Sequence, residues 1–507
     1  MRLSRFATVA SLAAATAFAV GCGGAPAVAP ATTVSQAAPE TTQVFLLASG
    51  VGGDEPTAFS VDFSQIQLTT KAGAAATVLS APGCANGNLP SGGCPGAEFM
   101  HVNGINSLPF YSARVPSGVY SGATVVPGAC YIDTVGESGS GLEINFGEGN
   151  CGQTAGGGQP SADAAVISVP QPITLSSYPM ALILSLDAPA SYQISGCADI
   201  YGGNCTDNIS PHFTLTAVPL LPNPDAPTVR GLNAQIESIT GTTLRLQSED
   251  GAAATVDTAP ATVYSGVGGL AGLAAGMFIR FSGTVQINGT LLASRIEVDD
   301  STAQIWDDGF TFSPVGPGPD GKTPMFGFAY VNSLGPSGAV DQADTEGFYL
   351  NSGTTFAIAG PASDLAGLPF TPTFNAQTLT GGQHVSVYYS AGPTVSGRPL
   401  ATTVVLVPEI IPGVVTAVGS SGQDVMYTVQ LSPEDLIPQV ASLAGDFPHL
   451  ADPATIYVYA SPTTAMAAPD AVNADTPWRF RGLLFNDNGT LRMVCDAILP
   501  AAAPAGN

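Results

Sequence analysis

Two segments of this chain, RFSGTVQINGTL from Arg280 and RFRGLLFNDNGTL from Arg479, each set an Asn-Gly pair between alternating apolar runs. Asn and Gly both tolerate the positive φ that a type I′ turn requires, so each spelling predicts a two-residue β-hairpin. A turn at Asn288-Gly289 places Val285 opposite Leu292, Phe281 opposite Ile296 and Ile279 opposite Val298 on one dry face. Arg280 then meets Glu297 on a wet face, an ion pair expected to add under about 1 kcal/mol there. In the second copy, a turn at Asn488-Gly489 pairs Leu484 with Met493, Gly482 with Cys495, Phe480 with Ala497 and Trp478 with Leu499, with Arg481 against Asp496 on the other face. A three-residue loop would set Phe480 against Asp496, and a one-residue slip reverses every facing, so the two-residue register is the better fit. A degenerate third copy turns at Ser396-Gly397 and aligns Tyr389 with Val404 and Val387 with Leu406, weakened near the turn by Pro393 and Pro399.

Each hairpin closes a unit that opens with another ribbon, which divides the C-terminal half into small β-modules at 228–300, 301–409 and 410–500. Upstream, runs such as FSVDFSQIQLTT, GVYSGATVV, MALILSLD and HFTLTAV alternate between Gly, Pro and Ser clusters at the spacing of a β-sandwich over residues 43–220. Phe59, Val61, Phe63, Ile66 and Leu68 alternate with one slip, the mark of a bulge. With 60 Gly and 42 Pro in 507 residues, long helices are disfavoured throughout. The expected fold is all-β: an N-terminal β-sandwich followed by three small β-barrel-like modules.

The N-terminus MRLSRFATVASLAAATAFAVGC has the positive end, apolar segment and small-residue cleavage region of an export signal, residues 1–21. Its AVGC ending resembles the lipobox of bacterial lipoproteins, although Ala19 stands where Leu is more usual. That resemblance implies Cys22 as the lipid-modified first residue of the mature chain; the alternative is ordinary signal cleavage. Gly23, where an inner-membrane retention signal would place Asp, points the address to the outer membrane. Residues 22–42, rich in Ala, Pro and Thr, read as a flexible tether. Cys84, Cys94, Cys130, Cys151, Cys197 and Cys205 fit an oxidising compartment; fifteen pairings are open, and spacing favours neighbours.

The opening TQVFLLAS with FSVDFSQIQL and VPSGVYSGATV is similar to an exported β-sandwich domain of unknown function found in uncharacterised bacterial lipoproteins. The stretch from Gly231 to Val298 is similar to a small repeated β-barrel domain, also of unknown function. The resemblance implies architecture and address, and no activity.

Acidic residues outnumber basic ones 38 to 13, and Lys occurs only at Lys71 and Lys322, which disfavours nucleic-acid partners. GPGPDGKT at Gly316 satisfies the phosphate-loop pattern, but Pro317 and Pro319 remove amide donors and the following residues read as strand, so a turn is expected. GESGSG at Gly136 has the composition of a nucleophile elbow without its spacing. WDDG at Trp306 and NDNG at Asn486 put oxygen ligands in tight turns, short of an EF-hand, with Asx turns the alternative to calcium. His101, His212, His384 and His449 are scattered, with no C-x-x-C pair for zinc. Trp306, Trp478, Tyr388 and Tyr389 are candidates for stacking on sugars, but the hairpin registers send Trp478, Phe480 and Tyr389 inward and leave Tyr388 as the exposed aromatic. Cys495 is expected to be a small buried hydrophobe.

No catalytic residue, cofactor site or metal site is assigned. The expectation is a lipid-anchored cell-envelope protein, periplasmic or surface facing, with a non-enzymatic binding or structural role. Its partners would be the membrane through the anchor and a glycan or envelope protein. The alternative is an envelope hydrolase acting on carbohydrate, with a site between modules.

Overall fold

The computed structural model describes residues 40–500 apart from 52–55, 87–93, 100–110, 139–140, 151–164, 177, 196–205, 220–227, 249–252, 287–289, 336–343, 361–364, 393, 423, 434, 444–449 and 467–471. Among the described residues the fold is almost wholly strand, with α-helix only at Ala188–Ser191 and Leu436–Leu443.

The N-terminal part is a sandwich. One sheet runs in the order Phe213–Pro219, Met180–Asp187, Thr41–Val51, Tyr111–Pro116, with its central pair parallel. The other is built on the long strands Pro56–Thr69 and Gly122–Ser138, flanked by Ala75–Ser80 and Gly141–Asn150. Alternate residues of the two sheets, Val44, Leu46, Leu182 and Leu184 against Phe59, Val61, Phe63, Ile66 and Leu68, form the core. The slip in the second series is a pair of register shifts around Phe63, which turn Ser64 inward to donate to the Val126 carbonyl at 3.0 Å. Cys84 and Cys94 are disulfide-bonded, Cα to Cα 5.8 Å. Cys130 is also disulfide-bonded, while Cys22, Cys151, Cys197 and Cys205 lie outside the described residues.

The strands from Thr228 onward are arranged as three barrels or barrel-like sheets that share one strand order. In the first, Thr228–Thr240, Thr243–Ser248, Ala253–Asp257, Phe278–Val285 and Leu291–Asp300 are strands one to five. Strand one pairs with two and four, two with three, four with five, and three closes the ring by running parallel to five. The third barrel repeats this order with Glu409–Ser421, Asp424–Gln430, Thr455–Met466, Thr476–Asp487 and Thr490–Pro500, and closes fully. In the second, Ile305–Thr311, Pro324–Leu334, His384–Tyr389 and Ala401–Leu406 are strands one, two, four and five. Its third strand is split into Asp344–Tyr349, paired with strand two, and Thr355–Ile358, parallel to strand five. This is the five-stranded Greek-key order of the OB-fold barrel.

The repeated hairpins are strands four and five of the first and third barrels. The deeper register of the first is as the sequence predicts, with Ile279 opposite Val298, Arg280 opposite Glu297 and Phe281 opposite Ile296. Toward the turn a bulge intervenes: Ser282 pairs with Arg295 and Gly283 with Ala293, leaving Ser294 extra, so Val285 faces Leu291 and not Leu292. The second copy holds the predicted two-residue turn, with Asn488 and Gly489 at φ 53° and 90°. It carries the same bulge: Gly482 pairs with Cys495 but Arg481 with Ala497, which moves Phe480 opposite Ile498 and Trp478 opposite Pro500. Asp496, the extra residue, still pairs with Arg481.

The Phe-x-Gly spelling is explained by that bulge. A Cβ on Gly283 would fall closer than 3.0 Å to the Leu292 carbonyl oxygen, and one on Gly482 equally close to that of Val494. The bulged strand leans over its partner there, and only glycine fits beneath it. The third copy keeps the Ser396-Gly397 turn, both residues at positive φ. Val387 faces Val404, however, a two-residue slip from expectation that preserves facing, because the ladder is interrupted between Tyr389 and Val395.

Candidate functional site

Strand four of the second barrel reads His384-Val385-Ser386-Val387-Tyr388, with Val385 and Val387 in that barrel's core. The intervening side chains point out of the barrel, as alternation dictates. They do not reach water, because the first and third barrels cover them: Tyr388 is 1% exposed, Ser386 0% and His384 7%. The expectation that Tyr388 is an exposed aromatic is therefore corrected. Alternation reports which way a residue leaves its own sheet and carries nothing about a second module packed on that face.

A chain of hydrogen bonds runs through this seam. Arg280, on strand four of the first barrel, donates through Nε to Asn233 Oδ1 at 3.1 Å and through a terminal nitrogen to Asp299 Oδ2 at 2.9 Å. The Tyr388 hydroxyl donates to the same Asp299 oxygen at 2.8 Å. Asn233 Nδ2 donates to Ser386 Oγ at 3.1 Å, which donates to Asp308 Oδ1 at 2.6 Å. Asp308 Oδ2 lies 2.8 Å from His384 Nε2, and the His384 amide reaches the Glu409 carboxylate at 3.4 Å. Alongside, Asp300 Oδ2 accepts from Thr402 and Thr403 at 3.0 and 2.8 Å.

The predicted Arg280–Glu297 pair is thus replaced. The two residues face each other across the hairpin, but the guanidinium is 3% exposed and turns to Asp299, while Glu297 pairs with Arg295. The face predicted to be wet is an interface. Burial would lower the Arg280 pKa, and the adjoining Asp299 carboxylate together with Tyr388, Glu297 and Asp308 more than offsets that and holds it up. Burial, then Asp299, pushes the Tyr388 hydroxyl well above its ordinary range, so it serves as a donor. Burial raises Glu409 to about 8.

Ser386, Asp308 and His384 are the residue types of a hydrolytic triad, but their order is wrong for that chemistry. Asp308 stands between the other two, one oxygen to each, so the imidazole is engaged with the carboxylate and not with the serine hydroxyl. All three belong to the second barrel, and the serine hydroxyl is held by the carboxylate and not by the imidazole. A further set of contacts joins the second and third barrels: Gln383 Nε2 donates to the Leu484 carbonyl at 3.0 Å, and the Arg492 guanidinium lies 5.3 Å from the Phe370 ring. Arg479 reaches from the third barrel to the Gly50 carbonyl of the sandwich at 2.7 Å.

The other sequence candidates fall as follows. GPGPDGKT is a turn between paired Pro317 and Pro324, with Asp320 accepting from the Lys322 and Thr323 amides at 2.9 and 2.8 Å, and a strand follows it. WDDG is not a turn: Trp306 to Gly309 lie within strand Ile305–Thr311, Trp306 is fully buried, and Asp308 belongs to the seam. NDNG is the hairpin turn itself, where Asn486 Oδ1 accepts from the Gly489 amide at 2.8 Å and Asp487 pairs with Arg492 at 2.7 Å. The tip of GESGSG, Gly139 and Ser140, lies outside the described residues, as do His101 and His449. Trp478 and Phe480 face the third barrel's core, and Cys495, buried beside them, is pushed up by burial so that it stays a thiol. Tyr389 packs edge-on against Phe348. Sequence reasoning missed Asp308, His384 and Glu409 as a group; the available signal was the polar series at every second position of a strand whose other residues are valines.

None of the curated proteins matches this chain. Among solved structures, the chain is similar to the wild-type single-stranded DNA binding protein from Thermus aquaticus, at 11% identity over 40% of this chain and 96% of that one, with a TM-score of 0.16. It is also similar to drosophila Unr CSD456, at 10% identity over 54% and 98%, with a TM-score of 0.12. Residues 234–297, most of the first barrel, match the family described as Domain of unknown function (DUF5666).

Proposed function

We propose that this is a lipid-anchored cell-envelope protein with a non-enzymatic role, in which a disulfide-braced sandwich and three joined barrels present binding or structural surfaces outside the membrane. The observation that carries the reading is where the polar chemistry goes. Asp299, Asp308, His384, Arg280, Ser386 and Glu409, the groups best suited to reaction, are buried in one hydrogen-bonded seam that passes from barrel to barrel through Tyr388–Asp299, Asn233–Ser386 and His384–Glu409. The export-signal pattern before Cys22 supplies the address, and an acidic chain of net charge −25 favours a glycan or envelope protein over nucleic acid as partner.

Palmitate labelling of cells expressing the wild-type chain and Cys22→Ser, followed by envelope fractionation, tests the anchor. Label in the wild type that is lost in the variant is the expected result, and an unlabelled cytosolic protein overturns it. Incubation of the purified protein with a polysaccharide panel tests the non-enzymatic part: binding without cleavage, or no binding, agrees with it, and turnover of any member overturns it.

A further inference from the structure

His384 stands where the second barrel hands the chain to the third. Its buried ring stacks on Phe310, centroids 4.7 Å apart. Nε2 lies 2.8 Å from Asp308 Oδ2, and Nδ1 lies 3.2 Å from the Pro408 carbonyl oxygen. A carbonyl can only accept. Asp308 already accepts the Ser386 hydroxyl at 2.6 Å on its other oxygen, which favours the carboxylate form. A neutral imidazole carries one N–H and satisfies one of these two partners; the imidazolium carries two and satisfies both.

We propose that His384 is a protonated clasp between the second and third barrels, gripping Asp308 and the Pro408 carbonyl at once, and that loss of its proton loosens the Pro408–Glu409 crossing into the third barrel. The grip bears on that crossing directly. The His384 amide meets the Glu409 carboxylate at 3.4 Å, the Val407 amide donates to the His384 carbonyl at 3.1 Å, and Glu409 opens the first strand of the third barrel. Among the described residues, the charged and titratable groups nearest the ring are Asp308 from strand one of its own barrel and Glu409 from the third. Arg280, Asp299 and Tyr388 follow along the bonded chain through Ser386 and Asn233.

The sign follows from these neighbours. Burial opposes the charged ring, but Asp308 first, then Glu409 and the Pro408 carbonyl, raise its pKa above the ordinary 6.5. Glu409 is likewise held up, at about 8. Both groups keep in the folded state a proton that the unfolded chain gives up, so their stabilisation is complete in mild acid and is lost as pH rises through the folded values.

The test uses the full chain with 15N-labelled histidine, which carries only His101, His212, His384 and His449. One resonance, assigned through His384→Gln, should titrate with a midpoint above the ordinary 6.5 and show both ring nitrogens protonated below that midpoint. Amide exchange in Glu409–Ser421, corrected for its intrinsic pH dependence, should then accelerate by up to about tenfold per pH unit between the ordinary histidine value of 6.5 and the His384 midpoint, and level off above that midpoint. His384→Gln should remove the His384 step from that profile and leave the one belonging to Glu409. A His384 midpoint at or below 6.5, or an unchanged profile in His384→Gln, overturns the clasp. If the variant does not fold, the wild-type data decide, with the resonance assigned through Glu409→Gln: exchange that rises with His384 deprotonation supports the clasp, and exchange indifferent to it overturns it.

Discussion

The Tyr388 hydroxyl of the second barrel donates a 2.8 Å hydrogen bond to the Asp299 carboxylate at the end of the first. Both side chains are buried, and Asp299 also takes the Arg280 guanidinium at 2.9 Å. A hydrogen bond to a charged acceptor shielded from water contributes about 1.5–3 kcal/mol. Tyr388→Phe removes the donor and leaves the ring, which still packs on Phe278 at 5.5 Å between centroids. Urea unfolding should show a loss of that size with an unchanged m-value. A change within about 0.5 kcal/mol would mean that the seam is solvated.

Removing the cation is more severe. Arg280→Met keeps the stem that covers Gly231 but strands Asp299 in a site 8% exposed, at an expected cost of about 3–5 kcal/mol. Adding Asp299→Asn should recover a large part of that loss, since no charge then remains to be buried. The coupling in this double-mutant cycle, read from unfolding midpoints, should be at least about 1 kcal/mol and favourable. Strict additivity would show that the pair does not interact.

The hairpins were legible because their signals are local: Asn488-Gly489 sets a turn, and alternation on either side sets the facing. What escaped was set by distant chain. Phe-x-Gly does not announce that the opposite strand carries an extra residue, so Trp478 and Phe480 land one position from expectation. His384, Ser386 and Tyr388 look like a wet face because nothing near them in sequence covers them; Asn233, Arg280 and Asp299 do. The parallel pairing of Thr41–Val51 with Met180–Asp187 is likewise invisible locally. The buried seam is the least legible part of all, since polar residues at alternate positions read the same against water and against another barrel.

The bulge explains the repeated glycine and is open to direct trial. In Gly482→Ala the new methyl meets the Val494 carbonyl, and in Gly283→Ala it meets that of Leu292; both obstacles are backbone and cannot rotate away. Each variant should lose about 1–3 kcal/mol or more in chemical unfolding. Gly122→Ala is the control, because its nearest neighbour, Thr69 Cβ, is at an ordinary 3.8 Å. That change should be neutral or slightly stabilising, since alanine reduces the freedom of the unfolded chain. Equal losses at all three positions would remove the steric account.

The Cys84–Cys94 bridge closes a short loop, with a sequence separation of 10. Chain-entropy reasoning gives such a loop about 2–3 kcal/mol. The double variant Cys84→Ser/Cys94→Ser should lose that amount by urea unfolding while its far-UV spectrum stays that of a β-protein. An unchanged midpoint would show that the surrounding sheet already holds the loop closed.

Asp62 provides a pH test away from the barrels. It lies on strand Pro56–Thr69 opposite Gly96, with its carboxyl where a side chain on Gly96 would otherwise stand and with Gly128 close by. Burial raises its pKa from the ordinary 3.8 to about 7. Between those values the folded protein keeps a proton that the unfolded chain has released, so stability falls as pH rises across this window and levels off above it. Asp62→Asn keeps the shape and cannot ionise. Unfolding midpoints measured from pH 4 to pH 8 should show the variant close to wild type at pH 4 and increasingly more stable toward pH 8. Taking the difference between the two proteins cancels Glu409, which titrates with the same sign in both. Parallel curves would mean that the Asp62 carboxylate is hydrated in the folded state, and a variant that loses ground as pH rises would reverse the assigned direction.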